Sequence, residues 1–274
     1  AYCDQLQEMG YRLEPDYKTN FAVFNEPSVE NIFTIPMNKT LYTNQMQYLF
    51  RSRHYNHAKA YGLSGENGPS ATIEALETFG YETAQQDPRF DICYFAGVVY
   101  DLKGNIVRLD DGNVLEYLPW KVELDISNTP YEQTAGARMK KYEVDETATK
   151  DGKLMENDIV LFRYADVLLM LTEATGDPAY LNEVRDRAGL PHYGDARYPS
   201  QYNTIALACE HERQVEFALE FHRWFDLIRT GRAISVLKNS LKNVTITEKQ
   251  LLLPIPLEVV SQNPTIIVQN EAYL

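Results

Sequence analysis

Residues 204 to 229 read Thr-Ile-Ala-Leu-Ala-Cys-Glu-His-Glu-Arg-Gln-Val-Glu-Phe-Ala-Leu-Glu-Phe-His-Arg-Trp-Phe-Asp-Leu-Ile-Arg, and the way this stretch is buried decides the fold. Leu207, Ala208, Val215, Ala218 and Phe225 fall on one side of a helix, and Phe217, Phe221, Trp224 and Ile228 on another. The spacing predicts one long helix covered by neighbours on most of its circumference. Its charges are placed to answer one another three residues apart: Arg213 with Glu216, Glu220 with Arg223, Arg223 with Asp226, and Asp226 with Arg229. Arg229 and Arg232 suit the negative end of the helix dipole, and Gly231 suits a left-handed cap.

A helix buried this way needs partners, and two lie just upstream. Asp158 to Ala174 is apolar nearly all round, with a narrow polar stripe at Arg163, Asp166 and Glu173 and a candidate cap at Asn157. Gly176 and Asp177 break the chain, Pro178 fits the first turn of a second helix running to Ala188, and Gly189-Leu190-Pro191 closes it. The two helices form an antiparallel pair the size of one tetratricopeptide-type unit.

Three segments in this order and spacing carry a family resemblance: Leu161 to Ala174 (Leu-Phe-Arg-Tyr-Ala-Asp-Val-Leu-Leu-Met-Leu-Thr-Glu-Ala), Leu181 to Pro191 and Glu212 to Arg229. Together they resemble the SusD/RagB family of surface nutrient-binding lipoproteins. The tail, from Leu-Pro-Ile-Pro-Leu-Glu-Val-Val to Asn-Pro-Thr-Ile-Ile-Val-Gln-Asn-Glu-Ala-Tyr, is similar to the family's C-terminus, with Glu271-Ala272 where a Pro-Gly pair is common. Gly10 to Tyr17, Glu30 to Ile35 and Asp87-Pro88-Arg89-Phe90 look like the family's middle region. The resemblance implies a mainly α fold: a SusD-like helical domain with the tetratricopeptide-type pair, long loops and a small β-hairpin. It also implies that the chain corresponds to the family's C-terminal portion. On this reading residues 1–153 are a loop-rich, ligand-side part, and 154–274 are the helical core and C-terminal tail.

The 274 residues are 44% hydrophobic, enough for a sizeable core. A formal charge of −13 and the absence of any basic run argue against nucleic acid as a partner. Cys3, Cys93 and Cys209 are odd in number and widely spaced, giving neither a disulfide framework nor a metal signature. The sequence contains no apolar run of the roughly 20 residues needed to span a bilayer. Nor does a basic, then apolar, leader appear. Cys3 has nothing apolar before it, so membrane attachment is expected only through a family-type lipid anchor upstream of Ala1.

Along the chain, Tyr2 to Met9 read as the end of a helix, Asn31 to Ile35 as a short strand or helical turn, and Ala71 to Phe79 as a short helix. Ile92 to Tyr100 and Ile106 to Leu109 read as a hairpin, and Ser127 to Lys153 as a surface loop. The loop Gly62 to Ser70 lacks the Gly-Lys-Ser/Thr ending of a phosphate loop. His211-Glu212 begins a zinc motif, but the fifth residue is Val215; His54 and His57 have no acidic or Cys companion nearby. Asp110-Asp111-Gly112-Asn113 lacks the remaining EF-hand ligands. No metal or cofactor is expected.

Two functional readings rest on side-chain chemistry. Glu212, Glu216 and Glu220 share a helix face, and paired carboxylates could hydrolyse glycosides. Arg213 and Arg223 beside them argue for a structural lock, because guanidinium groups hold carboxylates ionised. The other signal is aromatic: 19 Tyr and 2 Trp, mostly outside the Asp158 to Arg229 core. Flat rings on loops suit sugars, whose axial-hydrogen face is apolar. Tyr48, His54, Tyr55, Tyr61, Asn67 and Trp120, with Arg51 or Arg53, are the candidate ligand-binding residues. The resemblance implies non-catalytic capture of a nutrient at the bacterial outer-membrane surface. The nutrient is most often a glycan, passed to a SusC-like TonB-dependent transporter. An all-α glycan hydrolase and a helical-repeat scaffold, including one that binds peptides, are the alternatives.

Overall fold

The computed structural model describes residues 2–50, 54–62, 64–66, 68–123, 125–148, 152–240 and 246–273. They form two compact units, Ala1–Glu220 and Phe221–Leu274. The first unit begins with α1 (Tyr2–Glu8), β1 (Asn31–Ile35), α2 (Met46–Phe50), α3 (Tyr55–Tyr61) and α4 (Ile73–Thr78). Then α5 (Phe90–Cys93) runs into β2 (Tyr94–Phe95), followed by β3 (Gly97–Val98), β4 (Glu116–Tyr117) and β5 (Arg138–Met139). Finally β6 (Ile159–Arg163) passes directly into α6 (Tyr164–Thr175), and α7 (Pro178–Arg187) and α8 (Ile205–Glu216) close the unit. The second unit holds α9 (Arg223–Arg229), α10 (Ala233–Ser240) and α11 (Leu257–Gln262).

Helices dominate, as expected. The β content takes the form of antiparallel two-stranded pairs, β1–β6, β2–β5 and β3–β4. The helix pair is α6 and α7: Gly176 caps α6 in the left-handed conformation (φ 75°), and Asp177 caps α7 by accepting from the Ala179 amide at 2.9 Å. Both pack with α8 around Leu168, Leu169, Leu181, Val184, Ala208 and Cys209, all essentially inaccessible. A second apolar cluster, containing Phe21, Leu76, Phe90, Met139 and Val215, lies on the other side of α8. Two clusters thus cover α8, but not along the expected sides: Ala208 and Phe217 pack in the first, Val215 and Ala218 in the second, and Phe221 and Phe225, expected to be covered, are exposed.

Several boundaries differ from the sequence expectation: Ile92 and Cys93 end a helix instead of opening a strand, and Ser127 to Lys153, expected as a surface loop, carries β5 and the buried Ala137, Met139 and Tyr142. The stretch expected to be helical from Asp158 begins as a strand, because Ile159 and Val160 pair with Ile35 and Thr34. The Asp158 carboxylate is meanwhile held by the Thr34 hydroxyl at 3.1 Å and the Met37 amide at 2.8 Å. Asn157 is accordingly no cap; it is buried, donating to the Glu143 carbonyl at 3.0 Å. The long helix also stops early, at Glu216, and a new one starts at Arg223. The Glu216 carbonyl, which would accept the Glu220 amide in a continuous helix, accepts instead from the Tyr17 hydroxyl at 2.6 Å and Arg163 at 2.8 Å. The Ala218 carbonyl takes Lys141 at 2.7 Å. Leu219 and Phe221 enter the left-handed region at φ 66°, a conformation that costs a non-glycine residue roughly 1–2 kcal/mol. Side-chain donors from distant parts of the chain have replaced the helix's own amides.

Candidate functional site

The carboxylates of α8 are the first group to test for chemistry. Glu216 accepts from Arg89 at 2.7 Å and from both Arg163 and Arg187. Arg163 continues to Glu220 at 2.8 Å and Glu30 at 2.7 Å, and Lys141 closes on Glu220 at 2.6 Å. Arg89 also chelates Asp87 and lies 2.6 Å from Glu212, which Arg185 holds at 2.7 Å. Arg89, Lys141, Arg163, Arg185 and Arg187 thus face Glu30, Asp87, Glu212, Glu216 and Glu220, and none of these side chains is more than 8% exposed. Cations and anions balance one to one.

Protonation follows from this geometry. Burial pushes the Glu216 carboxyl up, but Arg163, Arg187 and Arg89 together outweigh it and hold the group well below the usual carboxylate range. In Glu220, burial is likewise outweighed by Arg163 and Lys141. A general acid must carry a proton near neutral pH. These groups are held ionised and sealed from solvent, so α8 is a structural lock. His211 is also disarmed: burial lowers its pKa to about 4, and its ring stacks on Tyr202 at 3.8 Å. Among the described residues no group of three or more His, Cys, Asp or Glu is arranged to hold a metal ion. No described helix is long and apolar enough to cross a membrane.

The aromatic candidates divide by environment. His54, Tyr55 and Tyr61 belong to α3, with Tyr55 and Tyr61 at its two ends and His54 as the N-cap, accepting from the Asn56 amide at 3.2 Å. Burial keeps the His54 imidazole below its ordinary pKa. Tyr55 is 62% exposed. Tyr61 stands edge-on to His57 and Phe95, with centroids 4.7 and 5.8 Å away, and its hydroxyl donates to the Tyr100 carbonyl at 2.9 Å. Trp120 belongs to another ring group: it is 44% exposed, lies 5.9 Å from Tyr81, and donates its indole N–H to Glu82 at 2.7 Å. Tyr48 is buried, its hydroxyl on the Glu66 carboxylate and the Lys153 ammonium 4.5 Å from its ring centre. Arg51, Arg53 and Asn67 lie outside the described residues.

Tyr61 and Phe95 wall an open cleft of about 450 Å³, completed by Ile92, Leu102, Lys18 and Lys140. That volume lies within the range of small-molecule sites. Sequence reasoning missed Phe95, Lys18 and Lys140. Phe95 lay inside an apolar run read as one strand of a hairpin, whereas it pairs with Arg138 far downstream, which brings Lys140 within 5.5 Å of its ring. No local pattern announces that pairing.

The comparisons with known proteins agree with this fold and add a family. The SusD family model matches residues 29–273. The chain belongs to the SusD family. SusD-like protein P2 of Formosa agariphila is 27% identical over 287 residues, covering 96% of this chain and 52% of the relative. SusD-like protein P38 of the same organism is 30% identical over 132 residues, 43% of this chain and 25% of the relative. This SusD-family chain therefore spans about half the length of the curated relative that it matches nearly end to end. Among solved structures, surface glycan-binding protein A from Bacteroides thetaiotaomicron superposes with a TM-score of 0.69 at 23% identity, covering 98% of this chain and 59% of that one. A laminarin binding SusD-like protein gives 0.68 at 24%, covering 98% and 57%. The B. thetaiotaomicron protein has also been solved with laminarihexaose. At these identities the structural likeness concerns the fold.

Proposed function

We propose that this SusD-family chain belongs to a cell-surface protein that captures a glycan without cleaving it and delivers it to a TonB-dependent outer-membrane transporter. The observation that carries the reading is a division of labour. Glu212 and Glu216 of α8 and Glu220 just beyond it, the side chains best suited to glycoside hydrolysis, are locked in buried ion pairs, while Tyr55, Tyr61 and Trp120 offer ring surface at or near solvent. Those rings fall within residues 1–153, which we take as the ligand-side part, with 154–274 as helical core and tail. Rings on loops and short helices over a rigid core vary without dismantling the fold, so ligand choice resides there. Membrane attachment through a lipid anchor upstream belongs to the same reading.

Titration calorimetry against laminarihexaose and a panel of other oligosaccharides tests it, with chromatography of the incubated sugar as the control. Capture predicts heat of binding and an unchanged oligosaccharide. Shortened products would favour the hydrolase, and binding confined to peptides would favour the scaffold reading.

A further inference from the structure

Lys18 and Lys140 both line the cleft walled by Tyr61 and Phe95, and the structure makes as little use of their charge as of Lys59, Lys103 and Lys121 elsewhere. Lys141, next in sequence, is consumed by Glu220, and Lys39 is paired with Glu156 at 2.8 Å and Asp145 at 3.3 Å. Neither Lys18 nor Lys140 forms an ion pair among the described residues, although the chain carries 39 acidic side chains against 26 basic ones. The carboxylates that share their cleft each give one oxygen to a main-chain amide and keep their charge: Asp16 accepts from the Lys18 amide at 2.9 Å, and Glu143 from the Val23 amide at 2.8 Å.

The Lys140 ammonium is fixed over Phe95, donating to the Asp91 carbonyl at 2.7 Å, which leaves two of its three N–H donors unassigned. Burial and, against the pull of Asp91, the neighbouring Lys18 charge keep the Lys140 amine below the ordinary lysine range. Two cations that line one cleft repel, and an anion bound in that cleft relieves the repulsion. The cleft therefore presents two kinds of surface at once: a ring wall for the apolar face of a sugar and a pair of ammonium donors for a negative group. Charge-assisted hydrogen bonds to carboxylate or sulfate are about twice as strong as neutral ones.

We propose that the cleft walled by Tyr61 and Phe95 selects an acidic glycan, whose anionic group is held by Lys18 and Lys140. This rests on the glycan-capture reading and narrows its ligand class. The chain's overall charge of −13 opposes an anion at long range. Beyond a Debye length of about 8 Å that field is screened, so the charges that line the cleft decide the contact, Lys18 and Lys140 against Asp16 and Glu143.

Affinity electrophoresis tests the proposal with gels containing neutral polysaccharides (laminarin, starch, xylan, mannan) or acidic ones (polygalacturonate, alginate, a sulfated galactan). The chain is run beside K18Q, K140Q and the double variant, each checked for an unchanged thermal melt. The expected result is retardation by at least one acidic polymer, weakened about tenfold by each lysine replaced, as for a lost charge-assisted contact. Raising the salt to about 0.3 M should reduce it further. Retardation by neutral polymers only, or by an acidic one equally in the wild type and the double variant, would overturn the acidic class and leave glycan capture standing. Retardation by no polymer of either kind would count against capture itself.

Discussion

Replacing Glu216 by Gln keeps the shape of the side chain and removes one of the five anions in the buried network. Arg89, Arg163 and Arg187 all donate to that carboxylate, so the variant leaves one buried positive charge uncompensated. Breaking a buried pair from one side costs about 3–5 kcal/mol. For a unit of this size each kcal/mol moves Tm by about 2–4 °C, so the melt should fall by roughly 6–20 °C. The pH dependence gives a second reading. The folded Glu216 carboxyl lies well below its ordinary value of 4.5, so the stability it contributes is complete above that pH and is lost as pH falls through the folded value. Differential scanning calorimetry between pH 3 and 7 should therefore show E216Q less stable at neutral pH, with a shallower acid limb than wild type. A variant that melts within about 2 °C of wild type across that range would mean the network does not hold the fold as described.

Core truncations should separate the two units. Phe90 is inaccessible and its removal should cost about 3–5 kcal/mol, whereas Trp224 is only half-buried and Trp224→Ala should cost about 2 kcal/mol; urea titration compares them. Gly136 sits at φ 75° with Ser70 only 2.5 Å from where a Cβ would be, while Gly112 at φ 86° faces open space. G136A should thus lose roughly 2–4 kcal/mol, and G112A only the roughly 1–2 kcal/mol of a left-handed alanine, read from the same urea titrations.

Much of the fold was legible because it is local. The Gly176-Asp177-Pro178 punctuation places the helix pair correctly, whereas the apolar sides expected for residues 204 to 229 are only partly met, because Ala208 and Val215 pack in different clusters and Phe221 and Phe225 are exposed. Short-range periodicity could not separate strand from helix in Ile159 to Arg163, where an apolar run satisfies both and the partner strand β1 decides. It also could not foresee the break after Glu216, since the donors that capture its carbonyl, Tyr17 and Arg163, lie far away in sequence. The charges on α8 were read as structural, which holds. Their strongest partners are nevertheless Arg89, Arg163, Arg187 and Lys141 from other elements, beyond any spacing rule on the helix itself.

The candidate site was legible in part for the same reason. Composition pointed to rings from Tyr48 to Trp120, and Tyr55 and Trp120 do reach solvent. Burial of Tyr48 depends on neighbours that a single sequence does not display, whereas the His54 cap is local, made to the amide two residues on. The lysines of the cleft were invisible because their interest lies in lacking carboxylate partners, which only the assembled structure reveals.

The location of the ligand is the central claim, and hydrogen–deuterium exchange with and without a saturating oligosaccharide from the binding screen tests it most directly. Slowed exchange in α3 and in the segments around Phe95 and Lys140, with α8 unchanged, is the predicted result. Protection confined to α6, α7 and α8, or to residues 221–274, would contradict the account.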